Sequence, residues 1–276
     1  YMNVGQVFYS NDENNNFYSF GTDVTTTGQK VRVDFDPLAK VLKSGGTALI
    51  YCAKAQIYDR RIMRKFANYL QYCDRVTNLD ALDIIERIRS YIGASDKNYG
   101  NYASLMIRWM KHGIVFHHGS LPLKVRILIE EFTQKEYSKI CFATATLEQG
   151  INMPFDLVWI EKFEPSRPLD VKNLVGRAGR STSESTFDFG QVVIKDGSRT
   201  KLSKIIRNGV PLKEISQLDE TTDPNDDYRE YKEAIKNGTF SEEYNLTETE
   251  LNRIEATTFS EVESILNLLY VNDQID

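Results

Sequence analysis

The chain has 276 residues, of which 41% are hydrophobic and 26% are charged, and its formal net charge is −5. It is long enough to bury a sizeable core, and no apolar run approaches the roughly 20 residues of a membrane-spanning helix. The acidic balance argues against a protein that coats nucleic acid over its whole surface, although it leaves room for a local basic groove. The three cysteines form no C-x-x-C pair, so neither a disulfide framework nor a zinc site is indicated and an intracellular location is predicted.

The N-terminal residues 1–36 predict short strands. Residues 6–9 and 17–20 are aromatic runs on either side of an Asn-rich turn, which favours a β-hairpin. Residues 31–35 alternate with a period of two and predict a further strand. Because a lone hairpin is marginally stable, we expect it to lean on a neighbouring element as an N-terminal strap.

From residue 37 onward, strand patterns alternate with helical ones, which predicts an α/β domain over residues 37–202 with a largely parallel sheet. Strands are expected at 47–52, 113–116, 140–143, 157–160 and 190–194, and helices at 56–72, at two places within an insert at about 78–110, and up to about 134. The residues expected to face inward on the last three helices are Leu82, Ile85, Ile88 and Ile92, then Tyr102, Leu105, Met106 and Trp109, then Val125, Leu128, Ile129 and Phe132. Residues 203–276 predict a polar helical extension, the start of an accessory domain.

Three polar loops follow predicted strands directly. They begin at Ala53-Lys54, at His117-His118-Gly119 and at Thr144. Because ligands bind parallel sheets beyond the carboxyl ends of the strands, we expect these loops to form one site.

The third loop, residues 144–154, contains a second threonine, Thr146, and then Gly150, Asn152 and Pro154. The hydroxyl groups and free backbone N–H groups of such a loop can hold phosphate oxygens without reading a base sequence. Gly150 permits a close approach of backbone, and Asn152 offers an amide. The threonines taken alone are equally typical of a strand end, because threonine favours β structure.

A second signal is the sequence Gly-Arg-Ala-Gly-Arg at residues 176–180. We expect a helix from about Asp170 that places Arg177 and Arg180 on one face, since they are three residues apart. Two permanently charged guanidinium groups suit a polyphosphate and resemble arginine fingers. The alternative is a pair of surface arginines at a helix end.

Residues 144–154 resemble motif V of the superfamily 2 helicases, in their Ski-like branch, and residues 176–180 resemble motif VI. The loop around His118 and Gly119 and the strand before Ala53 are similar to further stretches of that family, over about residues 45–195. The resemblance implies a second RecA-like lobe, with a P-loop NTPase type of fold, that supplies arginine fingers and part of a single-strand binding track. It assigns catalysis to Arg177 and Arg180, ATP binding or coupling to Gly150, Asn152, Asn173 and Gly176, and nucleic-acid binding to Ala53, Lys54, His118, Gly119, Thr144 and Thr146. Asn173 departs from the usual glutamine, and Gly119 replaces the usual alanine.

The chain lacks the phosphate-binding sequence G-x-x-x-x-G-K-[ST], so on its own it is predicted to be inactive. We therefore expect ATP with Mg²⁺ to be bound mainly by an N-terminal RecA-like lobe of the same polypeptide, and the other partner to be single-stranded DNA or RNA, with no membrane. His117 and His118 have no Cys, Asp or Glu at ligand spacing, so no metal site is predicted. Two alternatives stay open: an inert nucleic-acid-binding or adaptor module of the same fold, and an unrelated doubly wound nucleotide-binding protein.

Overall fold

A computed structural model describes residues 5–23, 29–94, 102–144, 153, 155–179 and 189–209. These residues all lie in the first of the two units into which the chain divides, Tyr1–Val210. Thr146, Gly150, Asn152 and Arg180 lie outside the described residues, as does most of the predicted C-terminal extension. In the described part of the chain, no helix is long and apolar enough to cross a membrane.

Eight strands of the described residues form one mainly parallel sheet. They are β1 (Gln6–Asn11), β2 (Phe17–Phe20), β3 (Lys30–Val33), β4 (Ala48–Tyr51), β5 (Ile114–His117), β6 (Ile140–Ala143), β7 (Leu157–Ile160) and β8 (Gly190–Lys195). Their order across the sheet is β3-β2-β1-β8-β7-β4-β6-β5, and among these eight strands only β2 runs opposite to the others. The predicted α/β class with a parallel sheet is confirmed.

Helices connect the parallel strands. They are α1 (Pro37–Lys43), α2 (Lys54–Tyr58), α3 (Arg61–Lys65), α4 (Leu79–Tyr91), α5 (Tyr102–Met110), α6 (Leu123–Gln134), α7 (Pro168–Val175) and α8 (Arg199–Arg207), with a 3₁₀ segment at Ala67–Tyr72 and another at Asp196–Ser198. Asp36 begins α1 by accepting the N–H groups of Leu38 and Ala39, and Asn78 begins α4 in the same way.

The centre of the sheet is apolar along the full length of its strands. Every residue of β4, β5, β6 and β7 is buried, as expected of strands covered on both faces. Their register brings Tyr51, Ala143, Ile160 and His117 to the same level. The carboxyl ends of four neighbouring strands therefore share one edge, which we call the carboxyl edge.

The predicted N-terminal hairpin is present and is part of the same sheet. Strand β1 pairs with β2 on one side and in parallel with β8 on the other, over its whole length. Asp12 shapes the turn by accepting the N–H groups of Asn14 and Asn16, at 2.9 Å each. The hydrogen-bonded sheet thus runs across the predicted boundary at residue 36, and that boundary stays a prediction.

The single helix predicted for residues 56–72 is wrong, because the chain forms three short segments there. Arg60 has a φ of 62°, in the left-handed region that a helix cannot accommodate. The Asp59 carboxylate accepts the Arg61 N–H at 2.9 Å and its Nε at 2.6 Å. This local side-chain bonding competes with the helical pattern and interrupts it.

The faces predicted for the two insert helices are confirmed in part, since Ile85 and Ile88 of α4 and Met106 of α5 are buried as predicted. In α4 the buried residues are Ala81, Ile84, Ile85 and Ile88, whereas Leu82 is 36% exposed. In α5 the buried residues are Met106, Ile107 and Met110. Both sequences contain two overlapping apolar stripes, and packing against neighbouring elements decides between them. The face predicted for α6 is confirmed, since Val125, Leu128, Ile129 and Phe132 are all buried.

Candidate functional site at the carboxyl edge

The strand ends from which the three predicted polar loops start lie side by side. Strands β4, β6 and β5 are consecutive in the sheet, and the loops that begin at Ala53, Thr144 and His118 leave their carboxyl ends. Lys54 starts α2 next to Ala53, and Gly119 is exposed next to His118. The structure therefore brings together five of the six residues predicted to bind nucleic acid, and the sixth, Thr146, lies outside the described residues.

Backbone hydrogen bonds hold these strand ends in place. Cys52 donates its N–H to the Ala143 carbonyl at 2.9 Å, and Thr144 donates to the His117 carbonyl at 3.1 Å. The Gln56 side chain accepts the Ala53 N–H at 3.0 Å. Thr144 is 8% exposed, so it lies at the edge with little freedom. A ligand at this edge would meet a largely preformed surface.

The His118 side chain lies inside the protein. It is 1% exposed and packs against the Tyr58 ring, with a centroid distance of 5.4 Å. Burial, together with the nearby groups Lys54, His117 and Arg126, lowers the pKa of His118 to about 4. The imidazole is therefore neutral at pH 7 and brings no positive charge to this edge, where Gly119 is the exposed part of the loop.

His117 and Glu130 form a pair that the sequence did not reveal. His117 is completely buried, and its Nε2 lies 3.0 Å from the Glu130 Oε1 on α6. Burial lowers the pKa of His117, the hydrogen bond and charge of Glu130 oppose this, and the charges of Arg126 and Arg177 add to the lowering. A neutral His117 donates from Nε2 to the carboxylate, and its Nδ1 has no hydrogen-bond partner among the described residues. The only sequence signal for the pair is that a histidine inside a buried strand needs a polar partner.

Glu161, directly after β7, is a second buried charge at the carboxyl edge. Its side chain is 4% exposed and forms ion pairs with Lys65 at 2.6 Å and with Lys195 at 3.2 Å. The pairs tie α3 and the end of β8 to the end of β7. In the described part of the chain, no group of three or more His, Cys, Asp and Glu side chains could hold a metal ion.

The helix predicted to present two arginines ends before either of them, so that prediction is wrong. Helix α7 stops at Val175, and turn hydrogen bonds follow, from the Arg177 N–H to Leu174 and from the Ala178 N–H to Val175. Gly179 then has a φ of +75°, and a Cβ at that position would lie 2.6 Å from the backbone nitrogen of Gly190. Ala178 pairs with Phe155 in a parallel bridge, and Gly179 donates its N–H to the Phe155 carbonyl at 2.8 Å, so the turn is held beside the start of β7.

Arg177 has its backbone at the opposite edge of the sheet. Phe155, which precedes β7, donates to the Arg177 carbonyl at 3.2 Å, and Gln6 at the start of β1 donates to the Val175 carbonyl at 2.8 Å. The side chain is only 6% exposed, and its charge reaches His117. Asn173 is exposed and Gly176 is partly buried. The structure thus places the backbone of Gly176 and Arg177 at the edge opposite Thr144 and buries Arg177, whereas Gly150, Asn152 and Arg180 lie outside the described residues.

Comparison with known proteins fits this picture. Residues 34–182 match the helicase conserved C-terminal domain. The chain is 26% identical over 179 residues to ATP-dependent DNA helicase Hel308 of Caldivirga maquilingensis, covering 60% of this chain and 22% of that protein. It is 30% identical over 158 residues to Hel308 of Thermoplasma volcanium, covering 54% and 21%. It is also 30% identical over 132 residues to DNA polymerase theta of Mus musculus, covering 46% and 5%. The match thus spans about a fifth of each Hel308 relative.

Proposed function

This chain belongs to the family of helicase conserved C-terminal domains, and we propose that it is the second motor lobe of an ATP-dependent superfamily 2 DNA helicase. The observation that carries the proposal is that the carboxyl ends of β4, β6 and β5, from which the polar loops start, lie side by side at one edge of a parallel sheet. The relatives named as ATP-dependent DNA helicases support ATP as the energy source and DNA as the nucleic acid. RNA stays the alternative substrate.

The carboxyl edge would bind the backbone of a single strand. The Thr144 hydroxyl, the backbone around exposed Gly119 and the Lys54 ammonium group offer donors to phosphate oxygens. Ala53 and Thr146 would complete this track, and His118 would act by packing its neutral ring against Tyr58 of α2, the helix that begins at Lys54. Contacts of this kind position a strand without reading its sequence, as a translocating motor requires.

ATP with Mg²⁺ would be bound mainly by an N-terminal lobe of the same polypeptide. The arginine-containing segment of this chain would act on that ATP. We propose that the magnesium ligands also come from that lobe. Arg177 is buried and its backbone lies in the turn after α7, which fits an internal role better than contact with ATP. We therefore propose Arg180 as the residue that contacts the γ-phosphate, with Gly150, Asn152, Asn173 and Gly176 coupling the two sites.

The burial of Arg177 also favours a second candidate function. An inert RecA-like adaptor would need the folded sheet and the strand-binding edge, but no guanidinium group exposed toward ATP. Both candidates predict nucleic-acid binding, and they differ only in whether Arg180 accelerates ATP hydrolysis.

The test is ATP hydrolysis by the full-length polypeptide without nucleic acid, with single-stranded DNA and with single-stranded RNA. Under the motor proposal, DNA stimulates turnover, and Arg180→Ala lowers kcat by about 10³-fold or more while ATP still binds. The matched control is Arg87→Ala, which removes an exposed arginine of α4 and should leave turnover unchanged. Turnover that is indifferent to Arg180 would support the adaptor instead.

A further inference from the structure

A groove of about 770 Å³ lies between the Asn-rich turn of the hairpin, the end of β3 and the 3₁₀ segment Ala67–Tyr72. We call it the hairpin groove. Its volume lies within the roughly 300–1,000 Å³ of ordinary ligand sites. The proposed motor chemistry does not use it.

The groove opens at the carboxyl edge. Asn11 ends β1 opposite Lys195, and Phe17 begins β2 opposite Val33, so the hairpin turn lies at the same edge as Thr144. Lys65, which lines the groove, is ion-paired with Glu161 at the end of β7. Five strand spacings separate β2 from β6, roughly 24 Å at about 4.8 Å each.

Aromatic rings that the surrounding structure fixes in place line the groove. The Tyr69 hydroxyl donates to the Asp36 carboxylate at 2.6 Å, and its ring packs against Phe66 at 5.8 Å. Phe35 meets the Tyr9 ring edge-on at 5.9 Å, and Tyr72 is partly buried. Rings held in this way can stack a flat ligand without losing further side-chain freedom.

The polar groups of the groove are those that recognise the edges of bases. Asn68 and Gln71 are exposed amides of the 3₁₀ segment, and the Asn16 amide accepts from Arg32 at 2.8 Å. Two cations, Arg32 and Lys65, are balanced by two carboxylates, Asp34 and Asp36. This near neutrality does not suit a site for phosphate alone, whereas amide and carboxylate groups around aromatic faces suit a base.

Two lysine side chains lie beside the aromatic rings of the groove. The Lys40 ammonium lies 4.6 Å from the centre of the Phe35 ring, and Lys43 lies 5.4 Å from that of Tyr72. Both lysines belong to α1, which borders the groove. A strand whose bases enter the groove would thus find cations next to it for the phosphates that stay outside.

We propose that the hairpin groove stacks one or two bases of the same single strand whose backbone is bound at Thr144. This proposal rests on the proposed strand-binding function. It extends the binding surface across the sheet, from the end of β6 to the N-terminal hairpin. A stacked strand advances about 3.4 Å per nucleotide, so about seven nucleotides span the distance between the two places. The hairpin is then part of the nucleic-acid track as well as part of the sheet.

The experiment measures binding of the 276-residue chain to fluorescent (dT)20 and to an abasic strand with the same backbone and length. Tyr72→Leu should weaken binding of (dT)20 about tenfold and leave binding of the abasic strand unchanged, because only the stacking partner is lost. The exposed amides give a second variant, Asn68→Ala with Gln71→Ala, which should weaken only (dT)20, by about threefold, without affecting folding. Tyr91→Leu, on α4 outside the groove, is the matched control and should change neither.

The outcomes separate the two proposals. If Tyr72→Leu and the amide variant leave (dT)20 binding intact while Thr144→Val weakens both strands, the groove proposal is overturned and the strand-binding function stands. Equal weakening of both strands by the groove variants also overturns it, since a base-stacking site cannot act on an abasic strand. If the unaltered chain binds neither strand, the proposed strand binding itself fails, and the groove proposal fails with it.

Discussion

The carboxyl edge and the turn after α7 were both predicted as binding sites from short sequence motifs. The structure agrees with the predicted position of the first and not with that of the second. At the carboxyl edge, each polar segment directly follows a buried strand. The parallel topology places the ends of these strands next to one another. In the turn after α7, the position of Arg177 depends on Phe155, Gln6 and Gly190, which are distant in the sequence. The comparison teaches that the start of a loop is positioned by the strand that it follows. A residue beyond a helix end is positioned by its contacts with residues that are distant in the sequence.

The largest expected effect is at Gly179, where the turn is most constrained. Gly179→Ala should lower the free energy of unfolding by about 3 kcal/mol, because the positive φ strains a side chain and the new Cβ would overlap the Gly190 backbone. Urea unfolding of the 276-residue chain measures this. Gly197→Ala is the control, since a Cβ there meets nothing within 4 Å, and it should stay within about 0.5 kcal/mol. Equal stability of the two variants would mean that the turn after α7 is as tolerant as an open loop.

The next largest expected effect is a dependence of stability on pH that arises from His118 at the carboxyl edge. Because burial lowers the pKa of His118 to about 4, the unfolded chain binds a proton there more readily than the folded chain between about pH 6.5 and pH 4. The contribution of a neutral His118 to stability is full above pH 6.5 and falls as the pH falls through this window. At pH 5 the loss should be about 2 kcal/mol relative to pH 7.

This loss is measured as the difference between the unaltered chain and His118→Asn, which removes the titrating group and keeps a polar side chain. The variant should lose less stability than the unaltered chain between pH 7 and pH 5. Parallel pH curves for the two proteins would contradict the burial of a neutral imidazole at this edge.

The smallest effect tests the edge as a binding surface. Thr144→Val removes one hydroxyl and keeps the shape, so the affinity for (dT)20 should fall about fivefold, as expected for one hydrogen bond, with little change in stability. Fluorescence anisotropy measures the affinity, and Thr200→Val, an exposed threonine of α8, is the control. If both variants bind alike, the Thr144 hydroxyl lies outside the track.

The elements that the sequence predicted well are those whose signals are local and unambiguous. The buried strands are continuous apolar runs, and the face of α6 has a single stripe. The elements that it missed depend on competing local interactions or on contacts between residues that are distant in the sequence. Asp59 interrupts a helical pattern by bonding to Arg61, and the stripes of α4 and α5 are ambiguous by one residue. The buried His117 and Glu161 are paired with residues of other elements, His117 with Glu130 and Glu161 with Lys65 and Lys195, and these partners have no sequence signal of their own.

The pairing of β1 with β8 has a consequence for the order of folding. The first strand of the sheet cannot form its parallel ladder until Gly190–Lys195 has left the ribosome, roughly 10–40 s later at about 5–20 residues per second. Strands β4 to β7 can assemble during this wait, while the aromatic hairpin has only β3 as a partner. The hairpin is therefore the last part of the sheet to be secured during synthesis, and its unpaired edge is where a chaperone would be needed most.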